Sequence, residues 1–222
     1  MANFEPNSAG KRCVLVRRIV VGAALGVLGL GLASILYTVL RPAVLRREVV
    51  VTTAVCPAEA RARAVAFLER NRALFPNLRY LTIIDYTRPS FERRLHLIDL
   101  KANRTQSYLV AHGLNSGGIY ASEFSNEPGS RKSCLGFFLT GAPYQGRNGE
   151  TLSLTGLEKG QNDNATARAI VLHGAAYVSE ETVEANRGRL GRSWGCPAVP
   201  VEAAASIIEK IKGGSLLYIH GG

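Results

Sequence analysis

The chain has 222 residues, with 27 Lys and Arg against 17 Asp and Glu, a formal net charge of +10, four cysteines and one tryptophan. That length accommodates one good-sized domain and a further segment. The charge forms no run dense enough for nucleic-acid binding: +5 sits in residues 1–48 and the rest is spread along the chain.

Residues 1–18 form a short polar tail carrying Lys11, Arg12, Arg17 and Arg18. Residues 19–40, "IVVGAALGVLGLGLASILYTVL", are 22 residues without a charge. As a helix they reach about 33 Å, enough to cross a bilayer core. The expectation is one N-terminal transmembrane helix. A cleavable signal peptide is the rival reading, but its apolar core runs only about 7–15 residues and ends at a small-residue site. No clean Ala-x-Ala follows here. In both readings the rest of the chain lies outside the cytoplasm. Arg41, Arg46 and Arg47 follow the apolar run, so the basic flanks favour an inside N-terminus only slightly.

Residues 41–78 read as a juxtamembrane linker and helix. The helix spans 57–75, with Pro57 suited to its first position, Glu59 to its positive end, and Pro76 ending it. From 79 the period changes. Short apolar or alternating runs at 80–85, 94–100, 107–112, 135–140, 151–155, 169–173 and 215–220 predict strands. Long Gly/Ser/Asn-rich loops separate them, and those around 113–130 and 141–150 are candidates to close over a ligand. Ser179 can cap a helix in "EETVEANR", with Gly188 after it; a second helix covers 201–212 and ends at Gly213. The fold class is therefore mainly β, a sandwich or half-open barrel with peripheral helices over 79–222.

Cysteines stand at Cys13, Cys56, Cys134 and Cys196. Three of them fall outside the cytoplasm in this topology. An odd number leaves a free thiol or an intermolecular bridge. A Cys56–Cys134 pair would leave Cys196 free.

Cys196 sits in "GRSWGCPAVP", residues 191–200, between Gly195 and Pro197. It is open to four readings: buried structural thiol, disulfide half, metal ligand or nucleophile. No second Cys or His lies at zinc-ligand spacing. A nucleophile needs a base, an orienting group and oxyanion donors. Among four histidines, His173 is best placed, at the end of the strand-like "AIVLHG" and 23 residues before Cys196. Gly195 permits a tight turn, so the amides of Trp194, Gly195 and Cys196 can converge on one point. A neighbouring imidazolium can bring the thiol well below its ordinary value of about 8.5.

Weaker candidates surround this pair. His112 ends a strand and either lines the cleft or is an ordinary rim histidine. Ser125, Asn126 and Ser133 either bind a peptide backbone or build a turn. Tyr144 walls the cleft or packs on it. Arg192 is a solvated arginine or a partner for a substrate carboxylate. Ser193 belongs to the same block. His96 and His220 read as structural.

The blocks "SLTGLEKGQNDNATARAIVLHGAAYV" (153–178) and "GRLGRSWGCPAVP" (188–200) resemble the murein L,D-transpeptidase catalytic domain family, a branch of the YkuD-type L,D-transpeptidases. "DYTRPSFERRLHLIDL" (85–100), "LVAHG" (109–113) and "FSNEPGSRKSCLGFFLTGAPYQGRNG" (124–149) resemble the same branch, so the likeness covers about 80–220. It implies a mostly β catalytic fold, no cofactor or metal, and peptidoglycan stem peptides as substrate. It implies Cys196 as nucleophile, His173 as base, and Gly174 as the residue whose carbonyl orients the imidazole. The chain departs from the wider pattern at Trp194, where His is usual, and at Pro197 and Ala198. Trp194 and Pro197 fit the narrower branch, and Cys134 stands where that branch commonly has Ser.

The expectation is a single-pass protein of a bacterial inner membrane. Its catalytic domain would lie in the periplasm or cell-wall space and cross-link stem peptides through a thioester. Water as acceptor would make it an L,D-carboxypeptidase or endopeptidase. A non-catalytic wall-binding module is the rival of another class. Oligomeric state is open.

Overall fold

A computed structural model describes residues 56–222. The tail, the expected membrane span at 19–40 and most of the juxtamembrane linker lie outside the described residues. Among the described residues no helix is long and apolar enough to cross a membrane.

Helix α1 covers Ala58–Arg70, and a single 3-10 turn, Arg72–Leu74, closes it. Pro57 is its N-cap rather than its first helical residue. Eight strands follow: β1 Tyr80–Asp85, β2 Leu95–Asp99, β3 Arg104–Tyr108, β4 Gly136–Gly146, β5 Gly149–Gly156, β6 Val171–Gly174, β7 Ala198–Val199 and β8 Leu216–His220. Helix α2, Glu180–Ala185, lies between β6 and β7, and helix α3, Val201–Ile211, between β7 and β8. Ser179 caps α2, its Oγ accepting the Thr182 amide at 3.1 Å.

All eight strands form one sheet in the order β3-β2-β1-β8-β4-β5-β6-β7. Two pairings are parallel, β1 with β8 and β6 with β7; the rest are antiparallel. An isolated bridge from Ala111 to Ala198 ties the chain beyond β3 to β7, joining the two ends of the sheet. The result is a near-closed barrel rather than two stacked sheets.

Two apolar clusters lie against the sheet. Helix α3 contributes Ala204, Ile207, Ile208 and Ile211 to a core with Ile84, Leu97, Leu172 and Leu217. Helix α1 contributes Ala60, Ala64 and Leu68 to another, with Leu81, Ile83, Phe137 and Tyr218. The alternation of Ile83 and Ile84 between these clusters is the period-2 geometry of a strand covered on both sides.

Three expectations need correction. Residues 107–112 are not one strand: β3 is the polar "RTQSY" of 104–108, and Ala111 makes only the closing bridge. Residues 141–150 are not a loop: β4 and β5 continue through them as a hairpin, with a register shift between Thr140 and Pro143 that admits the proline. Among the described residues Cys56, Cys134 and Cys196 are free, and no Cys56–Cys134 bridge forms. Cys56 packs against the α1 cluster and Cys134 sits in the α3 cluster.

Candidate active site

The register of β6 and β7 brings the two best sequence candidates to one edge. His173 stands opposite Ala198, two residues beyond Cys196. His173 is 4% exposed, and its Nδ1 donates to the Gly174 carbonyl at 2.9 Å. A carbonyl only accepts, so the proton is on Nδ1 and the Nε2 lone pair is free to act as a base. Gly174 also lets α3 approach: a Cβ there would lie 3.1 Å from Ala204 Cβ and 3.2 Å from Val201 Cα.

The turn before Cys196 is braced by Ser193. Its Oγ accepts the Gly195 amide at 3.1 Å and donates to the Cys196 carbonyl at 2.6 Å. The Ser193 backbone bonds the opposite wall, its N–H to the His112 carbonyl at 3.0 Å and its carbonyl to the Leu114 N–H at 2.7 Å. Gly195 has φ +121°, and a Cβ there would stand 2.8 Å from the Lys132 carbonyl. Only glycine fits both constraints. Gly195 is thereby removed from the expected set of oxyanion donors, since its N–H is already taken by Ser193. The amides of Trp194 and Cys196 remain from that set.

The thiol does not bond to His173. Cys196 Sγ instead donates to the Ala169 carbonyl at 3.5 Å, and Ala169 is held at φ +52°. The Cys196 thiol is pushed above its ordinary value. Burial is the largest cause; the N–H groups of Val171 and Cys196 and the charge of Arg168 pull the other way. A half-buried sulfur giving its proton to a carbonyl is favoured as the neutral thiol.

The remaining candidates divide into braces and open side chains. Ser133 is buried; its Oγ accepts the Gly113 amide at 3.0 Å and donates to the Gly195 carbonyl at 3.2 Å. Arg192 donates to the carbonyls of Gly117 at 2.9 Å and Leu114 at 3.3 Å, so its charge is spent on the loop. Ser125 accepts the Glu127 amide at 3.0 Å, and Asn126 pins Asp163 and Asn164 at 2.7 and 3.1 Å. Tyr144 is 49% exposed; it pairs with Thr151, which pairs with His173, placing the three in one cross-strand row.

His112 is 1% exposed and locked between two partners. Its Nδ1 accepts from Arg94 Nη2 at 2.7 Å, and its Nε2 donates to the Gly117 carbonyl at 3.4 Å. Burial, then the Arg94 charge, push it down to about 4. It is a neutral brace under the wall that carries Ser193. Arg94 itself is fully buried, bonds the carbonyls of Val110 and Arg88, and lies 4.7 Å over the Tyr86 ring. His96 is buried on β2 and bonds Ser107 Oγ at 2.9 Å, away from this site.

Sequence reasoning missed Arg94, Arg168 and Ala169. Arg168 donates to the carbonyls of Ser125 and Lys132, both at 2.5 Å, fastening the 125–132 segment beside the thiol turn. All three act through backbone carbonyls distant in sequence, which no local motif marks. Among the described residues no cluster of three or more His, Cys, Asp or Glu is arranged to hold a metal. A cavity of about 450 Å³ opens elsewhere, beside the β2–β3 turn, lined by Arg79, Tyr80, Arg104 and Lys210. No residue of the Cys196 site lines it, so its size says nothing about the chemistry at the thiol.

Comparison with known proteins bears on this geometry. A family model described as an L,D-transpeptidase catalytic domain matches residues 54–220. No curated protein matches. Among solved structures, an L,D-transpeptidase from Mycobacterium smegmatis is 12% identical, with 64% of this chain and 59% of that chain covered and a TM-score of 0.40. L,D-transpeptidase 1 of Mycobacterium tuberculosis is 11% identical, with 64% and 62% covered and a TM-score of 0.36. The helical cell shape determining protein of Campylobacter jejuni is 10% identical, with 66% and 48% covered and a TM-score of 0.42. The chain therefore spans about three-fifths or less of these structures' lengths.

Proposed function

The chain belongs to the L,D-transpeptidase catalytic domain family, and from that premise we propose that it is a membrane-anchored cysteine acyltransferase acting on peptidoglycan stem peptides outside the cytoplasm. The observation that carries this reading is the His173–Gly174 hydrogen bond on a strand paired beside the Cys196 turn. It leaves a lone pair on Nε2 at the edge where the thiol lies.

The chemistry proceeds in balanced steps. The Cys196 thiol leaves the Ala169 carbonyl and gives its proton to His173 Nε2. The sulfur attacks the carbonyl of the diaminopimelate L-centre in a stem tetrapeptide. The amides of Trp194 and Cys196 take the oxyanion, where each donor is worth about 2.7–4 kcal/mol of transition-state stabilisation. The imidazolium returns its proton to the departing amine, D-alanine leaves, and a thioester remains. An acceptor amine, deprotonated by Nε2, attacks the thioester and restores the thiol. Water in place of that amine would give an L,D-carboxypeptidase from the same thioester.

Intact-protein mass spectrometry tests the nucleophile. Brief incubation of the full chain with a tetrapeptide donor should add the mass of the donor less D-alanine, mapping to the Cys196 peptide. His173→Gln should slow this acylation by about 100-fold or more, the usual contribution of a general base. An adduct that persists in Cys196→Ala would overturn the assignment.

A further inference from the structure

We propose that Arg131, stacked on Trp194, forms a subsite for a stem-peptide carboxylate next to the scissile bond. This rests on the reading above and names a recognition group for it.

The cations around the thiol turn are otherwise engaged. Lys132 is paired with Glu123 at 2.5 Å. Arg168 and Arg192 are bonded to carbonyls. Arg131 is exposed and makes no ion pair among the described residues. Its guanidinium instead lies 4.6 Å from the centre of the Trp194 ring. Trp194 is 69% exposed, two residues before Cys196, so its indole serves no core.

The placement is built rather than incidental. Arg131 has φ +55°, a left-handed conformation that disfavours residues with a side chain. Its own carbonyl accepts the Asn115 amide at 3.2 Å, and Asn115 Nδ2 holds the Ser130 carbonyl at 2.9 Å. Arg168 holds Ser130 Oγ at 3.2 Å and the Lys132 carbonyl at 2.5 Å. Ser133 then bonds the Gly195 carbonyl at 3.2 Å, so the segment is docked against the thiol turn. The guanidinium lies over the indole, and among the described residues no hydrogen bond or ion pair takes up its N–H groups. Those groups match a carboxylate bidentately.

The donor peptide has two carboxylates near the bond that breaks: the C-terminal one of the departing D-alanine and the side-chain one of the diamino acid. Both offer the same chemistry, and amidation of each in turn distinguishes them.

Trp194 is the only tryptophan, so intrinsic emission reports this site without turnover. The full chain carrying Cys196→Ala is titrated with a disaccharide tetrapeptide, with calorimetry in parallel. Saturable binding with a shift in emission is expected. Arg131→Gln should weaken Kd at least 10-fold, with an unchanged melting temperature, and Arg131→Lys should weaken it less. One amidated peptide should lose as much on the Arg131 protein and nothing further on Arg131→Gln; the amide that does so names the source. Equal Kd for Arg131→Gln, no binding of the tetrapeptide, or indifference to both amides would each overturn the subsite. Turnover by the Cys196 protein is read separately. Arg131-dependent binding without turnover would sink the transferase reading alone, and turnover with Arg131-independent binding would sink the subsite alone.

Discussion

At the scale of single residues, the proposed nucleophile is held away from the proposed base. Cys196 is bonded to the Ala169 carbonyl rather than to His173, and its thiol is raised by burial. A raised thiol stays protonated until the pH exceeds its ordinary value, so the reactive fraction grows with pH. The rate of Cys196 alkylation by iodoacetamide, mapped by peptide mass, should therefore climb through neutral pH and inflect above the ordinary thiol value. Arg168→Gln removes a charge that favours the thiolate and should move the inflection further up. An inflection below neutrality would show that an imidazolium–thiolate pair forms in the free protein after all. The sequence singled out Cys196 and His173 as candidates, because a thiol between Gly195 and Pro197 and a histidine ending a strand are local features, and the β6–β7 register brings the two segments side by side. It did not reveal the Ala169 carbonyl that holds the thiol, nor that Ser193 removes the Gly195 amide from the oxyanion set.

At the scale of elements, β6 and α3 meet over Gly174. The close approach of Ala204 and Val201 leaves no room for a methyl group without a shift of the helix or strand. Gly174→Ala is expected to cost about 1–3 kcal/mol of stability, the usual range for overpacking. The same shift moves the carbonyl that fixes the His173 tautomer. Activity should fall mainly in kcat, with KM little changed; calorimetric melting and steady-state kinetics check both parts. Strands β1 and β2 and the ends of α2 and α3 were legible, because they follow hydrophobic periodicity and Pro, Ser and Gly punctuation; α1 stops at Arg70, short of the expected 75, and a 3-10 turn at Arg72–Leu74 takes up the rest. Strand β3 was not, since an end strand can be polar, and "LVA" at 109–111 is buried outside any strand. The β4–β5 hairpin was read as a loop because Gly141, Pro143, Gly146 and Gly149 resemble turn residues; a register shift accommodates Pro143 within the ladder. Two-residue β7, placed just after Pro197 and before Pro200, has too little length for any period.

At the scale of the whole molecule, one curled sheet explains why residues far apart in sequence converge. The Ala111–Ala198 bridge brings the wall carrying His112 and Gly113 onto the strand that follows Cys196. The closing contact depends on a buried layer of Arg94, His112 and Tyr86, whose Arg–His and Arg–carbonyl bonds replace water around a full charge. The Trp194 and Tyr144 side chains stay exposed, Trp194 two residues before Cys196 and Tyr144 in the cross-strand row of Thr151 and His173. A mainly β class was legible from strand spacing, but closure was not, since an isolated bridge has no sequence pattern. The account stands or falls on Cys196 transferring an acyl group between stem peptides. The most direct measurement incubates the full chain, and its Cys196→Ala variant, with disaccharide tetrapeptides and weighs the products. The expected product is a cross-linked dimer lighter than two donors by one D-alanine, formed only with the thiol present. Dimer from the Cys196→Ala protein, or no product from the folded native protein, would contradict it.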